Sequence, residues 1–288
     1  MRRTGQRQGL TLVELLVGIM VTAMIAAALA TVTYSVENLT QVAGGLSDVT
    51  QHARVSLSVV ERSIGESHAS GAFPGMAVFS VEVNGSRYPD TLVVWRPDGP
   101  PADPTGLPLF SEVVVFTPHP QSPRQLLQIE DRSDIRTVPP LDDEVSWLSE
   151  LHDLRTRLAD SSLVLTDRMR VAKAGDGTLP QRRAAVRFFV ESRPSFDEFQ
   201  RYQAGLLNWD QLSWPLALVD RDRGVARTRC SIELQLAAGD GADDVGIVVF
   251  LGTASTEFVV ERADLPVGNV GLPVDLNGKT MPVGGMTP

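Results

Sequence analysis

One carboxylate stands in an otherwise uncharged stretch: from Leu10 to Ala30, Glu14 is the only ionisable residue. At about 1.5 Å per residue a helix of this stretch reaches roughly 30 Å, the thickness of a bilayer core. A carboxylate inside such a span costs about 2.5–3.5 kcal/mol at the helix centre and less near the edge, where Glu14 falls. A group that costly to bury implies a cationic partner. Ahead of it, Arg2, Arg3 and Arg7 supply positive charge with no acid before Gly9. Basic residues before an apolar span place the N-terminus on the cytoplasmic side and the rest of the chain outside.

Other chemistry is sparse. His52, His68, His119 and His152 are scattered without metal-ligand spacing. Cys230 is the only cysteine, so neither an intrachain disulfide nor a cysteine zinc site can form. No glycine-rich phosphate loop follows a strand pattern, and Ser67-His68 is an adjacency without a third partner. Asp240, Asp243 and Asp244 gather hard oxygen ligands suited to Ca²⁺, in what is equally the composition of a solvated acidic hairpin tip. No catalytic residue and no cofactor are expected, with Ca²⁺ at these aspartates the only metal candidate. A net charge of -9 argues against a general nucleic-acid binder, because phosphate contacts need Lys and Arg. With 43% hydrophobic and 21% charged residues, the chain has material for an ordinary core.

Three kinds of N-terminus begin this way. A secretory signal peptide would use the small residues Ala28-Leu29-Ala30 and leave a chain starting at Thr31. A plain signal anchor would keep the span uncut. Neither has a use for Glu14. The run Gly9-Leu10-Thr11-Leu12-Val13-Glu14, followed by Leu15-Leu16-Val17, resembles the prepilin segment of the type IV pilin and type II secretion pseudopilin family. The close resemblance covers about residues 7–30. It implies cleavage after Gly9 by a prepilin peptidase, N-methylation of Leu10, and pairing of the Glu14 carboxylate with the new α-amine of a neighbouring subunit. Leu10 departs from the family's commonest first residue, phenylalanine. The implied partners are the peptidase, other pilins or pseudopilins, an inner-membrane assembly platform and the membrane itself. The implied place is the inner membrane, single-pass, with the outer domain periplasmic or extracellular. K-like pseudopilins typically lack the glutamate, so the resemblance favours a J-like or W-like minor subunit. The alternative is an exported binding protein or enzyme with a conventional signal peptide or anchor.

These residues need elements to position them. No proline precedes Pro74, and apolar residues recur at Leu39, Val42, Leu46, Val49, Ala53, Leu57, Val60 and Ile64. Steps of three and four predict a helix from about Leu10 to Ser67, interrupted or softened at Gly44-Gly45. The predicted strands are Met76–Val83, Thr91–Trp95, Glu112–Thr117, Gln125–Glu130, Ala184–Glu191, Arg229–Ala237 and Val245–Leu251, with a turn at Asn84-Gly85. Helices are predicted over Asp142–Ala159, with an apolar face of Val145, Leu148, Leu151, Leu154 and Leu158, and over Phe196–Leu206. Trp95, Trp147, Trp209 and Trp214 read as core or edge residues. The expected fold class is α+β: a long N-terminal helix, membrane-spanning and then amphipathic, packed on an antiparallel sheet with a helical insertion. The expected divisions are a leader over 1–9, an assembly helix over 10–36, and its amphipathic continuation over 37–70. An outer domain follows over 74–265, with an insertion at about 140–180, and then a flexible tail over 266–288.

Overall fold

The computed structural model describes residues 12–83, 86–174, 181–238 and 246–265. The chain is α+β, with antiparallel sheets following a long N-terminal helix, and divides into two compact units, Met1–Asp48 and Val49–Pro288. The first helix, α1 (Leu12–Gly65), contributes to both. In the first unit its large apolar side chains are exposed, Leu12, Leu16, Ile19, Met24 and Leu29 among them.

In the second unit α1 enters a core. Val49, Ala53, Val60 and Ile64, at spacings of four and seven, are at most 1% exposed. Leu39 and Leu46 continue the same stripe in the sequence and are exposed. The helix is not interrupted at Gly44-Gly45. A mid-helix glycine costs about 1 kcal/mol relative to alanine, but its backbone N–H and carbonyl still join the ladder. The helix ends at Gly65, just short of Ser67, where a tighter Ser67 N–H to Ile64 carbonyl bond of 3.1 Å closes the last turn.

A five-stranded antiparallel sheet follows, in the order β1 (Met76–Val83), β2 (Ser86–Trp95), β3 (Val113–Pro118), β4 (Leu126–Ile129) and β5 (Leu163–Thr166). Val83 pairs with Ser86, and the predicted turn at Asn84-Gly85 lies outside the described residues. Both faces of this sheet are covered. Leu92, Val94, Val114 and Phe116 share a cluster with Val60 and Ile64 of α1. Their neighbours Val93, Trp95, Val113 and Val115 face α2 (Glu144–Leu158) through Trp147 and Leu151. That double burial is why β3 is a continuous apolar run, Val113-Val114-Val115-Phe116, and does not alternate. Asp143 caps α2 by accepting the Ser146 N–H at 3.1 Å. Val145, expected on the apolar face of α2, is exposed, and Trp147 fills the core position. The segment expected as a helical insertion also supplies β5, which completes the sheet.

A hairpin of β6 (Val171–Ala174) and β7 (Gln181–Ala184) leads into a second antiparallel sheet, ordered β10 (Ile247–Glu261), β9 (Arg223–Ala237) and β8 (Val186–Arg193). Gly252 of β10 lies under α1: a Cβ there would sit 3.0 Å from the side chains of Leu57 and Glu61. A third cluster joins α3 (Phe196–Gln203) to the end of this sheet through Phe199, Tyr202, Trp209, Trp214, Ala226 and Val260. All four tryptophans, expected as core or edge residues, are buried.

Candidate functional site

Glu14 lies in the first turn of α1 and is exposed. A helix N-terminus carries partial positive charge, so a carboxylate in this turn is favourable. Gly9 and Leu10, the predicted cleavage and methylation positions, lie outside the described residues. So do Asp240, Asp243 and Asp244.

Glu14, Gly18, Thr22 and Ala26 follow one another at steps of four, so they form one stripe along the helix. The small side chains of Gly18, Thr22 and Ala26 leave a shallow groove beyond Glu14, beside Leu15, Ile19 and Ala23. Stripes of small residues let helix backbones approach closely in lipid, where apolar association lacks the drive it has in water. Hydroxyls in this region are satisfied within the helix itself. Thr22 donates to the Gly18 carbonyl at 2.7 Å, Thr31 to Ala27 at 2.9 Å, Thr33 to Leu29 at 3.0 Å and Ser35 to Thr31 at 2.9 Å. Such back-bonding removes the penalty an unpaired hydroxyl would meet in hydrocarbon. An 18-residue window of α1 has mean hydropathy 2.4, and this helix is long and apolar enough to cross a membrane.

The histidines do not form one centre. His68 stands edge-on to Trp95, with ring centroids 4.5 Å apart, and its Nε2 is 3.1 Å from the Pro104 carbonyl. His52, expected to be solvated, is half-buried on α1. The Nδ1 of His119 accepts backbone N–H bonds from Gln121 and Ser122, both 3.1 Å, which leaves the ring proton on Nε2 in the neutral form. His119 and His152 do share the wall of one cavity. Burial pushes the Cys230 thiol up to about 12, so it stays protonated and shielded in the core. Among the described residues, no three His, Cys, Asp or Glu side chains gather to hold a metal.

No family model, curated protein or solved structure matches this chain.

Two features escaped the sequence reading. One is the small-residue stripe beyond Glu14, for which the step of four was the available signal. The other is a buried charge network around Asp90, whose members lie on separate elements and so show no local spacing.

Proposed function

We propose that this chain is a minor pilin or pseudopilin, a structural subunit of a type IV pilus or type II secretion pseudopilus. In this reading it is a single-pass inner-membrane protein with a cytoplasmic N-terminus and its β-rich domain outside. Prepilin peptidase cleaves after Gly9, Leu10 is methylated, and α1 then joins other pilins on an assembly platform. The observation that carries the reading is the dual character of α1. Its first part exposes nearly every large apolar side chain and carries Glu14 in its first turn. Its later turns are buried in a sheet core. A cleaved signal peptide would have no reason to belong to the helix that builds the core.

The chemistry is assembly rather than turnover. Cleavage creates an α-amine at Leu10, and in this reading its ammonium pairs with the Glu14 carboxylate of a neighbouring copy within an apolar bundle. Unit charges about 4 Å apart attract by about 4 kcal/mol at an effective dielectric constant near 20. Apolar faces alone specify no register in lipid, whereas a single ion pair does. The small-residue stripe allows the close approach that brings the two charges together.

Co-expression with a prepilin peptidase tests the reading. Terminal sequencing should find a chain beginning at Leu10, with the added methyl visible by mass. A mature chain starting at Thr31 would overturn it in favour of an exported protein with a conventional signal peptide. An uncut chain, beside a control pilin that is cut, would overturn it as well.

A further inference from the structure

β10 is a sheet edge without the usual protections. It ends the second sheet, and over Ile247–Glu261 it pairs residue for residue with β9 on one side. Among the described residues, no backbone hydrogen bond reaches it from the other side. Its 15 residues extend about 50 Å. Edge strands are usually kept short, bulged, or marked with proline or lysine, because their unpaired N–H and carbonyl groups recruit other strands. β10 pairs with β9 without a bulge and contains neither proline nor lysine. Its two charged residues, Glu257 and Glu261, are already paired within the sheet, to Arg227 and Arg223 of β9.

The sequence of β10 says what fits this edge. Outward from Ala254, Thr253 matches Ser255, Phe250 matches Phe258, and Val248-Val249 matches Val259-Val260. The strand is close to a palindrome. Two copies laid antiparallel about Ala254 overlap along the whole strand, and Val249 of each then stands opposite Val259 of the other. Aromatic, β-branched and hydroxyl pairs are favourable across strands, and like charges are not. Where the match fails, Leu251 meets Glu257 and Ile247 meets Glu261, so no carboxylate faces another. Moving the axis to Thr253 sets Val249 against Glu257, and moving it to Ser255 sets Val249 against Glu261.

We propose that β10 pairs with β10 of a second copy of this chain, antiparallel about a two-fold axis at Ala254, and joins the two three-stranded sheets into one. Main-chain bonds along the edge supply the affinity, and the side-chain pattern supplies the register. A two-fold contact of this kind closes at two copies. It is made by the β-rich unit and stands whether or not α1 enters a filament.

The test uses the full chain in detergent, which leaves copies free to meet in either orientation. Thr253→Cys and Ser255→Cys are made in separate, differently tagged chains, and Cys230 stays in place because it is buried. Directly opposite Cα atoms lie about 4.5–5.5 Å apart, within disulfide reach, whereas diagonal ones lie about 7–8 Å apart. On oxidation, the two variants should therefore crosslink to each other about tenfold faster than either does to itself. Sedimentation equilibrium in density-matched detergent reads the dimer itself. Val249→Lys/Val259→Lys should weaken it about tenfold or more, because lysine then faces lysine. Val249→Lys/Val259→Glu should restore it. The two valines are 52% and 61% exposed, so the circular dichroism spectrum should not change. They lie about 34 Å apart along one strand, so the rescue can arise only between copies. The proposal is overturned by crosslinking no faster in the mixture than in either variant alone, or by equal dimer strength in the two lysine variants. A monomer would overturn it as well, and protection of its β10 amides from hydrogen exchange would assign the edge to another part of the same chain.

Discussion

The Ser56 hydroxyl, on the buried turns of α1, lies 3.1 Å from the backbone carbonyl of Leu165, a residue 109 positions away in β5. It also lies 2.8 Å from the His52 carbonyl of its own helix, so its single proton is shared between the two. β5 is the outer strand of the five-stranded sheet, and among the described residues no strand pairs with it on the side away from β4. A serine on the helix therefore does for β5 what another strand would do. Ser56→Ala should lower stability by about 1–2 kcal/mol, since a buried carbonyl loses its donor. Urea unfolding followed by tryptophan fluorescence checks this, and an unchanged midpoint would show that the bond contributes nothing.

Gly224 lies under the ring of Trp214. A Cβ at this position of β9 would fall 2.4 Å from two ring carbons of the indole. The ring cannot swing away easily, because it is buried and its indole N–H donates to the Trp209 carbonyl at 2.9 Å. Gly224→Ala should cost about 1–3 kcal/mol by overpacking. Combining it with Trp214→Leu should cost less than the two changes summed, because the ring that collides is gone. Strict additivity in a double-mutant cycle would contradict the packing described.

Glu198 ties α3 to the loop after it. Its carboxylate accepts the Ser195 N–H at 2.8 Å, the Ser213 N–H at 3.1 Å and the Ser213 hydroxyl at 2.8 Å, while Ser195 Oγ accepts the Glu198 N–H at 3.2 Å. The last bond closes a capping box. Burial raises the carboxyl's pKa, but these hydrogen bonds outweigh it, and the net position is below the ordinary 4.5. A carboxylate depressed in the folded state contributes stability that is present above 4.5 and lost as pH falls through the lower folded value. Glu198→Gln should therefore be less stable than the native protein at neutral pH, with the difference shrinking on acidification. Unfolding midpoints measured across the acid range would show it. A difference that stays constant with pH would sink the linkage.

Local features of the sequence were legible, and features made by distant contact were not. Glu14 stood out because a lone charge in an apolar run is visible within a dozen residues. The helix stripe over residues 49–64 was readable for the same reason. β5 has four residues, Leu163–Thr166, and is defined by β4 and by Ser56, neither of which is near in sequence. β10 was expected to stop at Leu251 but runs to Glu261. Gly252, the residue after the expected end, is the point where the helix leaves no room for a side chain. The hydroxyl-bearing stretch continues the ladder, with Thr253 opposite Ser231 and Thr256 opposite Thr228.

Gly18 separates folding from assembly. Among the described residues, no atom outside its own turn would lie within 4 Å of a Cβ at this position. Gly18→Leu should therefore leave the fold and membrane insertion intact while filling the groove between Glu14 and Thr22. If that groove seats a neighbouring helix, crosslinked oligomer or filament yield should fall severalfold with insertion unchanged. Native yield from Gly18→Leu would show that the stripe is not a packing surface.

Glu14 is the sharpest test of the assembly reading. Removing its charge lowers the cost of placing this helix in lipid, so Glu14→Leu should insert at least as well as the native chain. Cleavage after Gly9 should largely survive, because the scissile bond is unchanged. Incorporation should fall, since the α-amine of Leu10 on a neighbouring copy loses its counter-charge. Breaking a fully buried pair costs about 3–5 kcal/mol, enough to remove most of the assembled material. Glu14→Gln should behave like Glu14→Leu despite its near-identical shape, because the amide carries no charge. One variant followed through membrane fractionation, terminal sequencing and crosslink yield separates the steps. Native-level assembly of both variants would show that the carboxylate is not an assembly contact, and loss of insertion would mean that the segment is not a membrane helix of this kind.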